Sequence, residues 1–106
     1  MIRIRIEFGS HGFCFLEASG HARLAAPGND ILCAAVSVLV ENLGLGLTEI
    51  LDAPALIEED KGHYSIRLAE EVINDRTELL FTSAILGLKR LEEQYPDRLE
   101  ITDKNP

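Results

Sequence analysis

The chain has 106 residues, of which 46% are hydrophobic and 26% are charged, the size and composition of one folded soluble domain rather than of a disordered chain. Residues 1–106 are therefore expected to form a single domain with one core. The formal net charge of −8 argues against direct contact with nucleic acid, which needs a basic surface, and suits a basic protein partner instead.

The first predicted elements are two strands joined by a tight turn. Residues 2–8 read Ile-Arg-Ile-Arg-Ile-Glu-Phe, and this period of two predicts a strand with one apolar face. Turn residues follow at 9–12, and residues 13–19 predict a second strand.

The amino terminus alternates like a strand and does not resemble a signal peptide. Since no apolar run reaches the roughly 18–20 residues of a membrane span, we expect a cytoplasmic protein without membrane contact.

A helix is predicted from Ile31 to about Leu51, after a loop that begins at Gly20. Asp30 is a good N-cap for this helix, and Pro54 ends it. The segment is apolar almost all round, so one face is expected to pack on the sheet and another on a second helix or a second subunit. Gly44 and Gly46 near its end lower the helix propensity but permit the close approach of another helix.

A second hairpin and a second helix follow. Residues 56–60 and 63–68 predict two strands joined by a Lys-Gly turn. Either Asn74 or Asp75 is expected to cap the helix, with Glu78 placed to complete a capping box on Asp75.

The carboxyl-terminal part completes the predicted fold. The second helix runs to about Tyr95, residues 99–102 predict a short last strand, and residues 103–106 are expected to be frayed. The order ββαββαβ predicts an α+β fold in which an antiparallel or mixed sheet carries two packed helices.

His21 and Cys33 are the residues with the most distinctive chemistry. If Asp30 is the cap, Cys33 lies in the first helical turn, where free backbone N–H groups and the helix dipole favour a thiolate. His21 follows the second strand, and the eleven residues between it and Cys33 allow the chain to fold back. The two residues are therefore either the minimal form of an activated nucleophile or a loop histidine and a packed cysteine.

Asp30 and Ser37 could support such a site. Asp30 caps the helix and could also orient the imidazole of His21. Ser37 follows Cys33 by one turn, so its hydroxyl hydrogen-bonds either within the site or within an apolar helix. Cys14 is expected to be a packed residue without a disulfide, and the cysteine and histidine spacings match no structural zinc site. No metal or cofactor is therefore predicted.

The two halves of this segment together resemble the bacterial ribosomal-processing cysteine protease family. The family pattern is Gly-His-Ala, a short variable loop, Gly-x-Asp-Ile-x-Cys-Ala and a Ser soon after. The matching residues here are Gly20, His21, Ala22, Gly28, Asp30, Ile31, Cys33, Ala34 and Ser37. The predicted ββαββαβ order agrees with the fold of the family over essentially the whole chain.

The resemblance implies a cysteine endopeptidase that removes a short N-terminal extension from the twenty-seventh large-subunit ribosomal protein during ribosome maturation. It implies that Cys33 is the nucleophile, that His21 is the general acid and base, and that the chain forms a homodimer. The loop that contains Gly20, Ala22 and Gly28 could close over the bound N-terminal segment of the substrate.

Two other functions stay open on the sequence alone. A ribosome-assembly factor that binds a basic ribosomal protein without cutting it would use the same acidic surface. A redox sensor would pair Cys33 with Cys14, and a loss of function on Cys14→Ser would identify it.

Overall fold

The elements follow the predicted ββαββαβ order. The structure, a computed structural model, describes residues 1–20 and 28–104, and for residues 28–30 it describes the backbone alone. A single π-helical turn follows the first helix at Gly46–Ile50, and a short 3₁₀ turn lies at Glu70–Val72. The main elements are β1 (Ile2–Phe8), β2 (Phe13–Ser19), α1 (Gly28–Leu45), β3 (Ala55–Asp60), β4 (His63–Leu68), α2 (Asp75–Gln94) and β5 (Leu99–Lys104).

The five strands form one mixed sheet in the order β3-β4-β2-β1-β5, which confirms the predicted fold class. The pair β1–β5 is parallel, and the other neighbouring pairs are antiparallel. The last strand is longer than predicted, since Asp103 and Lys104 pair with Ile6 and Glu7. The expectation of a frayed end is therefore wrong for these two residues, because β1 offers partners to β5 from Ile2 as far as Glu7. Residues 105–106 lie outside the described part of the chain.

The core lies between one face of the sheet and the two helices. The predicted alternation of β1 is confirmed, because Ile2, Ile4 and Ile6 are buried while Arg3 and Arg5 are exposed. These isoleucines join one continuous apolar cluster with residues of the other strands and both helices. Members from the helices include Leu32, Val36, Val40, Leu43, Leu47, Phe81, Ala84, Ile85 and Leu88.

The first helix begins earlier than predicted. Its first residue is Gly28, so Asp30 lies inside the first turn, and the prediction that Asp30 is the N-cap is wrong. Pro27 directly precedes the helix in the sequence, and a proline at a helix start lacks only an N–H that would have no helical partner there. Cys33 is consequently the sixth residue of α1 rather than the third.

The segment Ile31–Ile50 is long and apolar enough, by length and composition, to cross a membrane. The sequence-based statement that no segment reaches this limit is therefore wrong. A core helix passes the same test, and the regularly spaced residues Leu32, Val36 and Val40 are buried in the core of this domain. The predicted close approach of a helix occurs at Gly46, where a Cβ would lie 3.1 Å from the Leu80 side chain of α2, whereas a Cβ on Gly44 would overlap the Tyr64 hydroxyl of β4.

Of the two residues expected to cap the second helix, the structure confirms Asn74, and the capping box on Asp75 with Glu78 is wrong. Asn74 is the N-cap, and its side chain accepts hydrogen bonds from the N–H groups of Arg76 and Thr77 at 2.9 and 3.0 Å. The hydroxyl of Thr77 completes the box by accepting the Asn74 N–H at 2.9 Å. Glu78 instead accepts the N–H of Phe13 at 2.6 Å, which ties the start of α2 to the start of β2.

Replacing Asn74 by Ala should lower the free energy of unfolding by about 1 kcal/mol, because two N–H groups of α2 lose their acceptor. For a domain of this size the melting temperature should fall by roughly 4–8 °C, measured by circular dichroism. Asn74→Asp keeps an acceptor oxygen and should melt close to the unsubstituted protein. Equal melting temperatures for all three proteins would contradict the assignment of this cap.

Candidate active site

A cleft of about 270 Å³ opens where the end of β2 meets the first turns of α1. One wall is formed by α1, and the other by the end of β2 together with the turn between β3 and β4. The residues that line it are Ile2, Ala18, Ser19, Gly20, Cys33, Val36, Ser37, Val40, Glu41, Glu59, Asp60, Gly62, His63 and Tyr64.

The α1 wall carries three polar side chains in one row. Cys33, Ser37 and Glu41 are spaced by four residues, so they lie on the same helix face, one turn apart. Cys33 is half-buried and its thiol is free, whereas Ser37 and Glu41 are exposed. The structure therefore places Ser37 beside Cys33 on the cleft wall, as the spacing predicts.

The sheet wall is polar and acidic at one end. Burial raises the pKa of Tyr64, and the negative charges of Glu59 and Glu41 raise it further. Glu41 belongs to the α1 wall and Glu59 to the sheet wall, so negative charges from both walls lie near Tyr64, and Asp60 is a third acidic residue in the cleft lining. The sequence analysis did not identify Glu41, Glu59, Asp60 or Tyr64 as site residues. No local pattern in α1, β3 or β4 indicates that these elements come together at the cleft.

The predicted partners of Cys33 lie partly outside the described residues. His21 and Ala22 belong to the undescribed segment, and the side chain of Asp30 is not described either. Gly20 lies in the cleft wall directly before that segment, and Gly28 begins α1 directly after it. The contacts of His21 with Cys33 and with Asp30 stay predictions.

Cys14 lies in a different environment from Cys33. The β1–β2 register shifts beside it, and its thiol donates to the carbonyl oxygen of Glu7 at 3.6 Å. Burial, with a contribution from the negative charge of Glu7, raises the pKa of this thiol. Five strand residues, roughly 17 Å, separate Cys14 from the cleft end of β2. Both cysteines are free, and this separation does not favour a redox pair.

The other two histidines are held by carboxylates. The imidazole of His11 contacts Glu70 at 2.8 Å, and that of His63 contacts Glu17 at 2.7 Å. His63 is half-buried and lies in the lining of the cleft. Among residues 1–20 and 31–104, no group of three or more histidine, cysteine or acidic side chains is placed to hold a metal ion.

Comparison with known proteins matches the chain along nearly its whole length. The profile of the family described as cysteine protease Prp matches residues 1–100. The ribosomal processing cysteine protease Prp of Bacillus subtilis is 27% identical over 96 residues, which are 86% of this chain and 86% of that protein. The protein of the same name from Staphylococcus aureus is 30% identical over 89 residues, 80% of this chain and 81% of its own.

Solved structures agree with the sequence matches. A protein from Streptococcus mutans superposes with a TM-score of 0.89 at 29% identity, covering 100% of this chain and 96% of its own. The S. aureus ribosomal processing protease Prp, in complex with a covalently linked product peptide, superposes with a TM-score of 0.86 at 25% identity. The match covers 98% of this chain and 100% of that chain.

The fold, together with these relatives, defines a cysteine-type peptidase. The chain belongs to the cysteine protease Prp family.

The two thiols should differ sharply in reactivity. We expect substoichiometric iodoacetamide near pH 7 to label Cys33 first, because burial and a neighbouring carboxylate keep Cys14 protonated. Peptide mapping by mass spectrometry measures the labelling of each residue. Cys14→Ser should keep the fast phase and Cys33→Ser should remove it; equal labelling of both thiols would contradict this prediction.

Proposed function

We propose that this peptidase removes the N-terminal extension of a large-subunit ribosomal protein, the twenty-seventh, during ribosome maturation in the cytoplasm. The observation that carries the proposal is the position of Cys33, a free thiol in the wall of a cleft that is open to a peptide. Two relatives are named for ribosomal processing, and the S. aureus protease was solved with a product peptide linked covalently.

In the proposed reaction Cys33 is the nucleophile and His21 the general acid and base. The Cys33 thiolate adds to the scissile carbonyl carbon, and His21 protonates the leaving amine as the C–N bond breaks. His21 then takes a proton from water, whose oxygen attacks the thioester and releases the thiolate and the product acid. Each turnover thus consumes one water and needs no cofactor.

The start of α1 is the proposed site of oxyanion stabilisation. The N–H groups of its first four residues, 28–31, have no partner inside the helix. Side chains on a helix lean toward its N-terminus, so the Cys33 thiol leans toward the turn that carries these donors. Fixed N–H dipoles at this position would meet the negative charge that develops on the carbonyl oxygen.

Asp30 and Ser37 are proposed as supporting residues. Asp30 would orient the imidazole of His21 and stabilise its protonated form. Ser37, exposed one turn from Cys33, would donate its hydroxyl to the peptide backbone of the substrate. Gly20, Ala22 and Gly28 would belong to the loop that contacts the substrate.

The charge of the protein supports a basic substrate. The chain carries a net charge of −8, and Glu41, Glu59 and Asp60 make one end of the cleft acidic. A positively charged protein is attracted to such a surface at long range, and nucleic acid is repelled by it. Ribosomal proteins are rich in Lys and Arg, so the acidic end suits the part of the substrate that follows the cleavage site.

We also propose that the protein forms a homodimer through the outer face of its helices. Ile31, Val38 and Leu45 repeat every seven residues along α1 and are 66%, 66% and 56% exposed. Leu79 and Leu86 of α2 are exposed with the same spacing. Heptad spacing of this kind forms a continuous apolar stripe, which a second copy of the chain would cover.

Cleavage should depend on one of the two cysteines. With a peptide that carries an apolar extension of the ribosomal protein, Cys33→Ala and His21→Ala should each lower kcat at least hundredfold, since nucleophile or proton transfer is lost. Cys14→Ser should keep most of the activity. Liquid chromatography of the products measures the rate.

A chain that binds the extended protein tightly but never cuts it would support the assembly factor instead. Equal losses from the Cys14 and Cys33 substitutions would reject Cys33 as the nucleophile.

Charge placed in the apolar stripe should dissociate the dimer. Val38→Glu should reduce the mass measured by light scattering at micromolar concentration to that of one chain, with little change in the melting temperature, because Val38 is exposed within one chain. Leu56→Glu is the matched control, since Leu56 is similarly exposed but lies on β3. A single-chain mass before any substitution would contradict the dimer.

A further inference from the structure

The side chain of Tyr64 reaches from the sheet wall of the cleft to α1. Its backbone lies on β4 and pairs with Ala18 of β2 on one side and with Glu59 of β3 on the other. All three residues line the cleft. Tyr64 is half-buried and packs against the apolar core, so its ring is anchored on the sheet.

The hydroxyl of Tyr64 lies against the backbone of α1 at Gly44. A Cβ on this glycine would overlap the hydroxyl oxygen and would lie 3.4 Å from Cζ of the same ring. The same Cβ would lie 3.2 Å from Cδ1 of Ile57 on β3. Gly44 is buried, and the absence of a side chain there lets α1 rest directly on Tyr64 and Ile57.

These contacts determine how far the cleft extends along α1. The α1 residues that line it run from Cys33 to Glu41, which is about 12 Å along the helix axis. Gly44 follows Glu41 by about one turn, and there the helix already touches the sheet. An extended chain rises about 3.3 Å per residue, so a peptide whose scissile bond lies at Cys33 has room for roughly four residues along this wall.

We infer that Tyr64 is a specificity-determining residue that closes the end of the cleft far from Cys33, and that Gly44 is the positioning residue that allows its ring to reach α1. The ring limits the size of the substrate side chain about four residues from the scissile bond. A small side chain fits at that position, and a large aromatic one does not. This inference rests on the proposed function and adds to it the length of substrate that the cleft accommodates.

Tryptophan-scanned peptides test where the cleft ends. The chain contains no tryptophan, so the fluorescence of a single tryptophan in a peptide reports binding without background from the protein. Peptides of the extended ribosomal protein carry this tryptophan at successive positions, from the first to the sixth, on either side of the scissile bond. They are titrated into Cys33→Ala, which lacks the proposed nucleophile. On one side, tryptophan near the fourth position should give a Kd about tenfold higher than tryptophan at the sixth.

Two substitutions of Tyr64, made in the Cys33→Ala background, test the role of the ring. Tyr64→Ala opens the end of the cleft, so the Kd values for tryptophan at the fourth and sixth positions should come within about threefold of each other. Tyr64→Phe keeps the ring and should preserve the difference of about tenfold.

A rescue experiment tests the role of Gly44. The methyl group of Gly44→Ala overlaps the Tyr64 hydroxyl, so it should displace the ring and change the difference between the fourth and sixth positions at least about threefold. Adding Tyr64→Phe removes the overlapping oxygen and leaves the ring at an ordinary contact distance, so the double variant should regain the original difference. Gly46→Ala is the matched control and should leave the difference unchanged, because its Cβ would meet Leu80 of α2 and neither residue lines the cleft.

The inference is overturned if tryptophan binds equally well at every position, or if Tyr64→Ala keeps the original difference. The role of Gly44 is rejected if Tyr64→Phe does not rescue Gly44→Ala, or if neither the single nor the double variant folds. A double variant that folds where Gly44→Ala alone does not supports it. The proposed function fails by a different result, no cleavage of the extended peptide by the unsubstituted protein, so the two failures are distinguishable.

Discussion

The burial of one stripe of α1 against the sheet is the constraint on which the site depends. Leu32, Val36 and Val40 follow each other at helical spacing and are almost fully buried in the apolar cluster that also contains the isoleucines of β1. Burying each such side chain contributes roughly 1.5–3 kcal/mol, so the helix cannot rotate about its axis without losing several of them to water. Cys33, Ser37 and Glu41 each follow a buried residue by one position, about 100° around the helix. The core thereby holds the polar row at the edge of the cleft.

The opposite face of the sheet has no helix on it among the described elements and is covered by its own side chains. Phe15 lies on that face, yet only 5% of it is exposed, because the guanidinium groups of Arg5 and Arg67 lie over its ring at 5.1 and 4.2 Å from the centroid. Glu7 contacts both arginines at 3.9 Å, and Glu17 contacts Arg5 at 3.2 Å. The alkyl stems and planar guanidinium groups of the two arginines shield the Phe15 ring, while their charges stay in water.

The two ends of the sheet have different roles. At one end, carboxylates from the α2 side hold the β1–β2 turn, with Glu70 receiving the N–H groups of Ser10 and His11 and Glu78 receiving that of Phe13. At the other end, the end of β2 and the β3–β4 turn open into the cleft with Cys33. The central strand β2 is paired on both sides and runs from the end held by Glu70 and Glu78 to the end that opens into the cleft.

The sequence by itself determined the elements whose signal is periodic and local. The alternation of β1, the ββαββαβ order and the position of Ser37 one turn from Cys33 follow from spacing, because periodicity records which face of an element is buried. Tertiary structure decided what depends on distant partners. Glu78 does not form the expected capping box but accepts the N–H of Phe13, 65 positions away in the sequence. Asp103 belongs to a strand because it pairs with Ile6 of β1. The acidic end of the cleft arose in the same way, since Glu41 and Glu59 meet at Tyr64 only when α1 packs over β3 and β4. Contacts of this kind leave no local pattern in the sequence, because they form only when whole helices and strands pack together.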